Sequence, residues 1–340
     1  MHFSVETPDN ALQDTLLARL ESLPAGRIRT LALQLGLTQQ TLQPTVRRPL
    51  VAVFAGDHGA IAAGASSLPQ KLTWQGVERL LGGGALLNAT CRDLALALSV
   101  VDAGVGHDFS ARPGLFAAKI EHSSANYALE PAMWRSQMER ALEQGRRIAQ
   151  EFAAQDGNVL GLSSIGVGAE ASAALLAHCM SGLDIGVLAS AAPDDNEAAN
   201  VRRQALLSRA LARTGLIDDP FDAMREFAGF EIVMLVGALL GAAEKRVISV
   251  LDGFVATSAL ALAQRIAPPV AHYCVLARCG PSRGHAALAD WLGMETLIDH
   301  DLAPGEGVAA ALSVPLLRTA AACLRERAGV APAGQGSGLG

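Results

Sequence analysis

The chain has 340 residues, half of them hydrophobic, which is enough apolar material for one large buried core with an accessory lobe. Its 27 Lys and Arg are scattered against 33 Asp and Glu, for a net charge of −6, and only 4% of residues are aromatic. That balance excludes nucleic acid as a partner, since binding it needs a basic footprint and stacking surface.

The opening stretch, MHFSVETPDNALQ, lacks a basic start followed by an apolar core, and no run reaches the roughly 18 uninterrupted apolar residues of a membrane span. A cytoplasmic protein with no membrane partner is expected. A helical pattern covers residues 9–36. Five apolar runs then follow, four of them ending in Gly or Asp: PLVAVFAGD, LSVVDAG, NVLGLSS, VISVLDG and HYCVLARCG. Each leads through a turn into an Ala/Leu-rich helical pattern, which predicts an α/β, Rossmann-like parallel sheet layered between helices. A last helical pattern spans about 307–327, and the two terminal patterns can pair into a smaller lobe. The expected division is a helical lobe from 1–45 and 300–328, a large parallel α/β domain at 46–299, and a disordered Gly/Pro/Ser-rich tail at 329–340. Five cysteines (Cys91, Cys179, Cys274, Cys279, Cys323) without a CxxC indicate buried free thiols rather than disulfides or zinc.

Ligands of a parallel α/β sheet collect outside the carboxyl ends of its strands, so the strand-to-helix loops hold the candidate chemistry. GDHG puts Asp57 and His58 at such an end, where they could hold a metal or move protons. No further ligand pattern accompanies them, so no metal is expected, and a structural or substrate-positioning role is favoured. LPQKLTWQGVERLLGGGALLN predicts a helix beginning near Thr73, broken by three glycines that cost about 1 kcal/mol each against Ala inside a helix. Gly83, Gly84 and Asn88 therefore mark close packing, a ligand contact or a plain loop. GLSSIGVGAEAS (161–172) passes from strand to helix, with Ser164, Gly166 and Gly168 where backbone N–H groups could receive an anion, yet Glu170 adds a negative charge to that turn. Further on, GFEIVMLVGALLGAAEKRVISVLDGF buries Glu231 in an apolar helix, then delivers Asp252 and Gly253 to another carboxyl-end loop. Asp252 can bond a ligand hydroxyl or close its own turn. PGEGVAAALSVPLL sets Glu306 before a helix with no adjacent cation, as a general base in an apolar cleft or a capping carboxylate.

The succession FAGDHG, LPQ…T…GGGALLN, VVDAGV, GFEIVMLVGALLGAA, VLDGF and GEG…A-L…PLL, from about residue 10 to 325, resembles the nicotinate-nucleotide–dimethylbenzimidazole phosphoribosyltransferases of cobalamin nucleotide-loop assembly. The resemblance implies a homodimer without cofactor or metal. It also implies attack by a benzimidazole nitrogen on the ribosyl carbon of nicotinate mononucleotide, with Glu306 as general base. Ser67, Gln70, Gln75 and Leu316 are then candidates for the base pocket, and Ser164, Gly166, Gly168, Asp252 and Gly253 for the nucleotide side.

The chain departs from that pattern on the nucleotide side. Where the family reads approximately GEMGIGNTTSA, Ser164 stands in place of Glu, and Ala169, Glu170 and Ala171 replace Asn-Thr-Thr. VLASAAPDD (187–195) replaces a glycine-rich GRGTGLDD, GPSRGH (280–285) replaces SAEPGH, and EGVAA replaces EGTGA. Two readings follow: an active phosphoribosyltransferase, or a weakened homologue that binds an aromatic base without efficient transfer. A metal-dependent hydrolase centred on Asp57 and His58 is a third. A carboxylate about 4 Å from a phosphate costs on the order of 4 kcal/mol at an effective dielectric of 20, so the direction of Glu170 matters, and Arg283 could compensate.

Overall fold

The computed structural model describes residues 2–190, 197–280, 282–298 and 306–326. Six strands, β1 (Leu50–Gly56), β2 (Ala97–Gly104), β3 (Leu115–Ala117), β4 (Val159–Ile165), β5 (Ile248–Asp252) and β6 (Cys274–Arg278), form one parallel sheet in the order β3-β2-β1-β4-β5-β6. Five are the apolar runs picked out above. The sixth, β3, is a three-residue edge strand with Phe116 and Ala117 exposed, too short to show a period.

Among the described residues thirteen α-helices accompany the sheet: α1 (Gln13–Leu20), α2 (Arg27–Thr38), α3 (Lys71–Leu81), α4 (Leu86–Asp93), α5 (Arg135–Ala154), α6 (Ala169–Ser181), α7 (Ile185–Leu188), α8 (Glu197–Thr214), α9 (Pro220–Phe227), α10 (Phe230–Glu244), α11 (Phe254–Ile266), α12 (Arg283–Trp291) and α13 (Val308–Glu326). The pattern expected over 9–36 is two helices, because Pro24 and Gly26 interrupt it. The helix expected from Thr73 begins two residues earlier, at Lys71. The proposed tail at 329–340 lies outside the described residues.

Strand residues alternate between two apolar layers, as a sheet covered on both faces requires. Ala52, Phe54, Leu160, Leu162, Leu251 and Leu276 join the cluster built with α5, α6, α10 and α11. Val51, Val53 and Ala55 face the opposite layer with α3 and α4. Val159, Val250 and Val275 join α1, α2 and α13 there. Among the described residues α13 is the one helix long and apolar enough to cross a membrane by composition; here it packs against β4, β5, β6 and α2. Cys91, Cys179 and Cys274 are buried free thiols, whereas Cys279 and Cys323 are only half-buried, which corrects the expectation for those two.

From β1 the sheet grows first toward β2 and β3 and then, after the chain returns, toward β4, β5 and β6. Neighbouring connections therefore diverge between β1 and β4, opening a crevice at their carboxyl ends.

Candidate active site

β1 runs directly into Asp57 and His58. The Asp57 N–H donates to Gly104 O (3.0 Å), and the Asp57 carboxylate accepts the Gly106 N–H (2.8 Å), locking the exits of β1 and β2 together. Burial raises the Asp57 pKa, an effect partly offset by the Gly106 N–H, Thr73, His58 and Gln70. His58 Nε2 lies 2.8 Å from Glu231 Oε1 of α10, with both side chains fully buried. Burial alone would lower the His58 pKa, but the Glu231 carboxylate and Asp57 together outweigh it and the net shift is upward. The GDHG histidine is thus joined to the very acid that the sequence shows inside an apolar helix, across 173 positions.

At the exit of β4 the chain turns into α6. A Cβ added at Gly166 would meet the Gly56 carbonyl oxygen at 2.5 Å, so only glycine permits this approach of the two strand exits. Gly168 has φ +89 at the start of α6, a left-handed conformation that costs other residues about 1–2 kcal/mol. The intervening Val167 N–H donates to the Thr73 hydroxyl of α3 (3.0 Å). Ser164 is half-buried beside the turn, and Glu170 is exposed in the first turn of α6, where a carboxylate favours the helix N-terminus by up to about 1 kcal/mol.

Glu306 precedes α13. A Cβ at the next residue, Gly307, would lie 2.9 Å from Val51 Cγ1 and 3.5 Å from Ser163 Cβ, so this helix starts directly over β1 and β4. Its first N–H groups are capped by the Asp252 carboxylate, which accepts from Ala309 (2.9 Å) and Ala310 (3.4 Å). Burial raises the Asp252 pKa against the pull of those N–H groups and of Arg278, whose Nε is 3.8 Å away. Asp252 therefore does not close its own turn; it holds the helix that carries Glu306. Glu306 itself is ion-paired with Arg79 of α3. The sequence places no cation next to Glu306, and the fold brings one across 227 positions.

Ser67 and Gln70 are exposed just ahead of α3, and Gln75 is exposed on it. Gln75 and Arg79, four residues apart, share one stripe of that helix, so Gln75 lies along the same line as the Glu306 ion pair. Leu316 is not brought to this place. Eight residues of helix carry it about 12 Å beyond the start of α13, and it packs instead with the cluster of Leu16, Leu31 and Leu35. Leu312, one turn earlier, packs with Trp74, Val77 and Ile165. Gly83 and Gly84 form the turn between α3 and α4, tied by Asn88, whose side chain accepts from Ala85 N–H (2.9 Å) and donates to Leu80 O (2.8 Å). An aromatic group missing from the sequence reading flanks α3: Trp74 stacks on His107 at 4.9 Å, and Phe109 meets His107 edge-on.

On the far side, Gly253 starts α11 with φ +98. Buried His285 links three loops. Its Nδ1 accepts the Gly280 N–H (3.0 Å), so Nε2 carries the proton and donates to Thr257 Oγ1 (2.9 Å), which donates to Gly253 O (3.0 Å). Burial holds its pKa down to about 4. Arg283 is exposed; Pro281 and the 191–195 part of the substituted segment lie outside the described residues.

A phosphoribosyltransferase family model matches residues 5–334. The nicotinate-nucleotide–dimethylbenzimidazole phosphoribosyltransferase of Aromatoleum aromaticum is 46% identical over 339 residues, covering 98% of each chain. The chain belongs to the nicotinate-nucleotide–dimethylbenzimidazole phosphoribosyltransferase family. The member from Dechloromonas aromatica is 41% identical, covering 98% of this chain and 99% of its own. A solved structure of the phosphoribosyltransferase from Thermus thermophilus superposes with a TM-score of 0.88 at 33% identity, over 95% of this chain and 99% of that one. The α/β fold is thus that of a nicotinate-nucleotide–dimethylbenzimidazole phosphoribosyltransferase over nearly the whole length.

Proposed function

We propose that the protein transfers the phosphoribosyl group of nicotinate mononucleotide to 5,6-dimethylbenzimidazole or a related base, giving α-ribazole 5′-phosphate and nicotinate for cobalamin nucleotide-loop assembly. The observation that carries this reading is Glu306 at the head of α13, over the β1/β4 switch point, in a chain related over nearly its full length to enzymes of that name. Glu306 takes the proton of one benzimidazole nitrogen while the other nitrogen attacks the ribosyl C1′. The bond from C1′ to the nicotinate nitrogen breaks, and its electron pair neutralises the positive ring, so the leaving group departs as a neutral pyridine nitrogen with inversion at C1′. The base lies along the Ser67–Gln75 side of α3. The phosphate lies toward the Gly166–Gly168 turn, where the N–H groups at the start of α6 favour an anion. The shared name of the near-full-length relatives supports transfer over the weakened-homologue reading.

The test is an incubation with nicotinate mononucleotide and dimethylbenzimidazole, followed by mass detection of α-ribazole phosphate. Glu306→Gln is expected to lower turnover by about 100-fold or more with the fold intact. No product from the unaltered protein would overturn the activity; normal turnover in the variant would remove Glu306 from it. We further place the protein in the cytoplasm as a homodimer.

A further inference from the structure

The partner of Glu306 is Arg79, whose Nη2 donates to Glu306 Oε1 across the crevice. Stability does not account for this contact. The Arg79 side chain is 55% exposed and that of Glu306 24%, and ion pairs in such positions contribute about 0–1 kcal/mol. An arginine in the last turn of α3 would gain as much by folding back on the terminal carbonyls of its own helix. Arg79 instead reaches a different element, from the same stripe of α3 as Gln75.

Glu306 needs such a partner. It stands just before the regular part of α13 and is followed by Gly307 at φ +93, so helical backbone does not fix its side-chain torsions. A guanidinium on Oε1 selects one orientation and leaves Oε2 to receive a proton. We propose that Arg79 is a positioning residue for phosphoribosyl transfer, holding the Glu306 carboxylate where Oε2 meets the benzimidazole N–H. This rests on Glu306 being the base, as proposed above. The proton and electron accounting of the reaction is unchanged: the proton passes from ring nitrogen to Oε2, and Arg79 keeps all of its own.

A residue that orients the base without holding either substrate should affect kcat and leave KM nearly alone. Misplacement of a reacting group by about 1 Å can cost on the order of 100-fold. In Arg79→Ala, kcat is therefore expected to fall by about 10- to 100-fold, with both KM values within about 2-fold of the parent. Arg79→Lys should recover part of the loss, because the charge is kept and the planar fork is not. Added methylguanidine should restore turnover to Arg79→Ala and do nothing for Glu306→Gln. In the double variant, Arg79→Ala should add no loss beyond that of Glu306→Gln.

Two results overturn the inference: an unchanged kcat in both Arg79 variants, or a lower KM for the base with higher kcat/KM, which would make Arg79 a competitor of the substrate. Full activity of Glu306→Gln would instead bring down the general-base reading and this inference with it. A dead Glu306→Gln beside fully active Arg79 variants would remove Arg79 alone. If Arg79→Ala proves insoluble, Arg79→Lys with its kcat-against-KM split carries the same decision.

Discussion

Asp252 illustrates how much a single carboxylate can be asked to do at the end of a strand. The motif VLDG places it at a carboxyl-end loop, and sequence offers two local roles, a ligand contact or a turn. Its actual partners are Ala309 and Ala310, 57 and 58 positions away, together with Arg278. Such a partner is invisible to any argument built on neighbouring residues, and so is Arg79 as the partner of Glu306. Position relative to the strand ends was legible, as was the presence of a carboxylate before the last helix; the bonds each carboxylate makes were not. Asp252→Ala removes the cap of α13 and should lower stability by about 1–2 kcal/mol, seen as a lower urea midpoint with unchanged slope. Turnover should fall with it, because the head of the helix bearing Glu306 loosens. A midpoint equal to the parent's would show that Asp252 does not hold this helix.

Elements announced themselves in proportion to their length and regularity. Five strands were readable because each carries a run of apolar residues, whereas β3 has three residues and no such run. The three consecutive glycines, ambiguous in sequence, are the turn by which α3 folds against α4. Gly166 and Gly168 were readable as a strand-to-helix turn, but the reason for the first is contact with the neighbouring β1 exit, which requires knowing that β1 and β4 are adjacent. Element contacts also make a pH prediction. His285 joins the starts of α11 and α12 to the exit of β6 as a neutral ring, with its pKa held at about 4 by burial against about 6.5 in the unfolded chain. Between those values the unfolded chain binds the proton and the native one does not. The His285 contribution is therefore present above pH 6.5 and is lost as pH falls toward 4, by roughly 3 kcal/mol at most. His58, whose pKa is raised, acts with the opposite sign, stabilising at low pH and losing that contribution as pH rises. Thermal melts of the parent and of His285→Gln from pH 7 to 4 should converge on acidification. Parallel curves would refute the buried neutral ring.

For the molecule as a whole, composition and alternation of elements were sufficient to indicate a parallel α/β architecture, because they depend on sums over many residues. The terminal helices were visible too, but not that α13 lies on the sheet as well as on α2. The proposed dimer is expected in the cytosolic fraction at twice the 35.2 kDa chain mass by light scattering. A chain-mass particle, or recovery from another compartment, would refute the respective part of that placement. One arrangement bears on how the protein is made. Leu16, Leu20, Leu31 and Leu35 of α1 and α2 share their core with Leu317, Ala320, Ala321 and Leu324 of α13, the last described helix to leave the ribosome. At about 5–20 residues per second, the first helices wait roughly a quarter of a minute to a minute for that partner to be synthesised. Throughout that interval the leucines of α1 and α2 lack the α13 side chains that cover them in the finished fold.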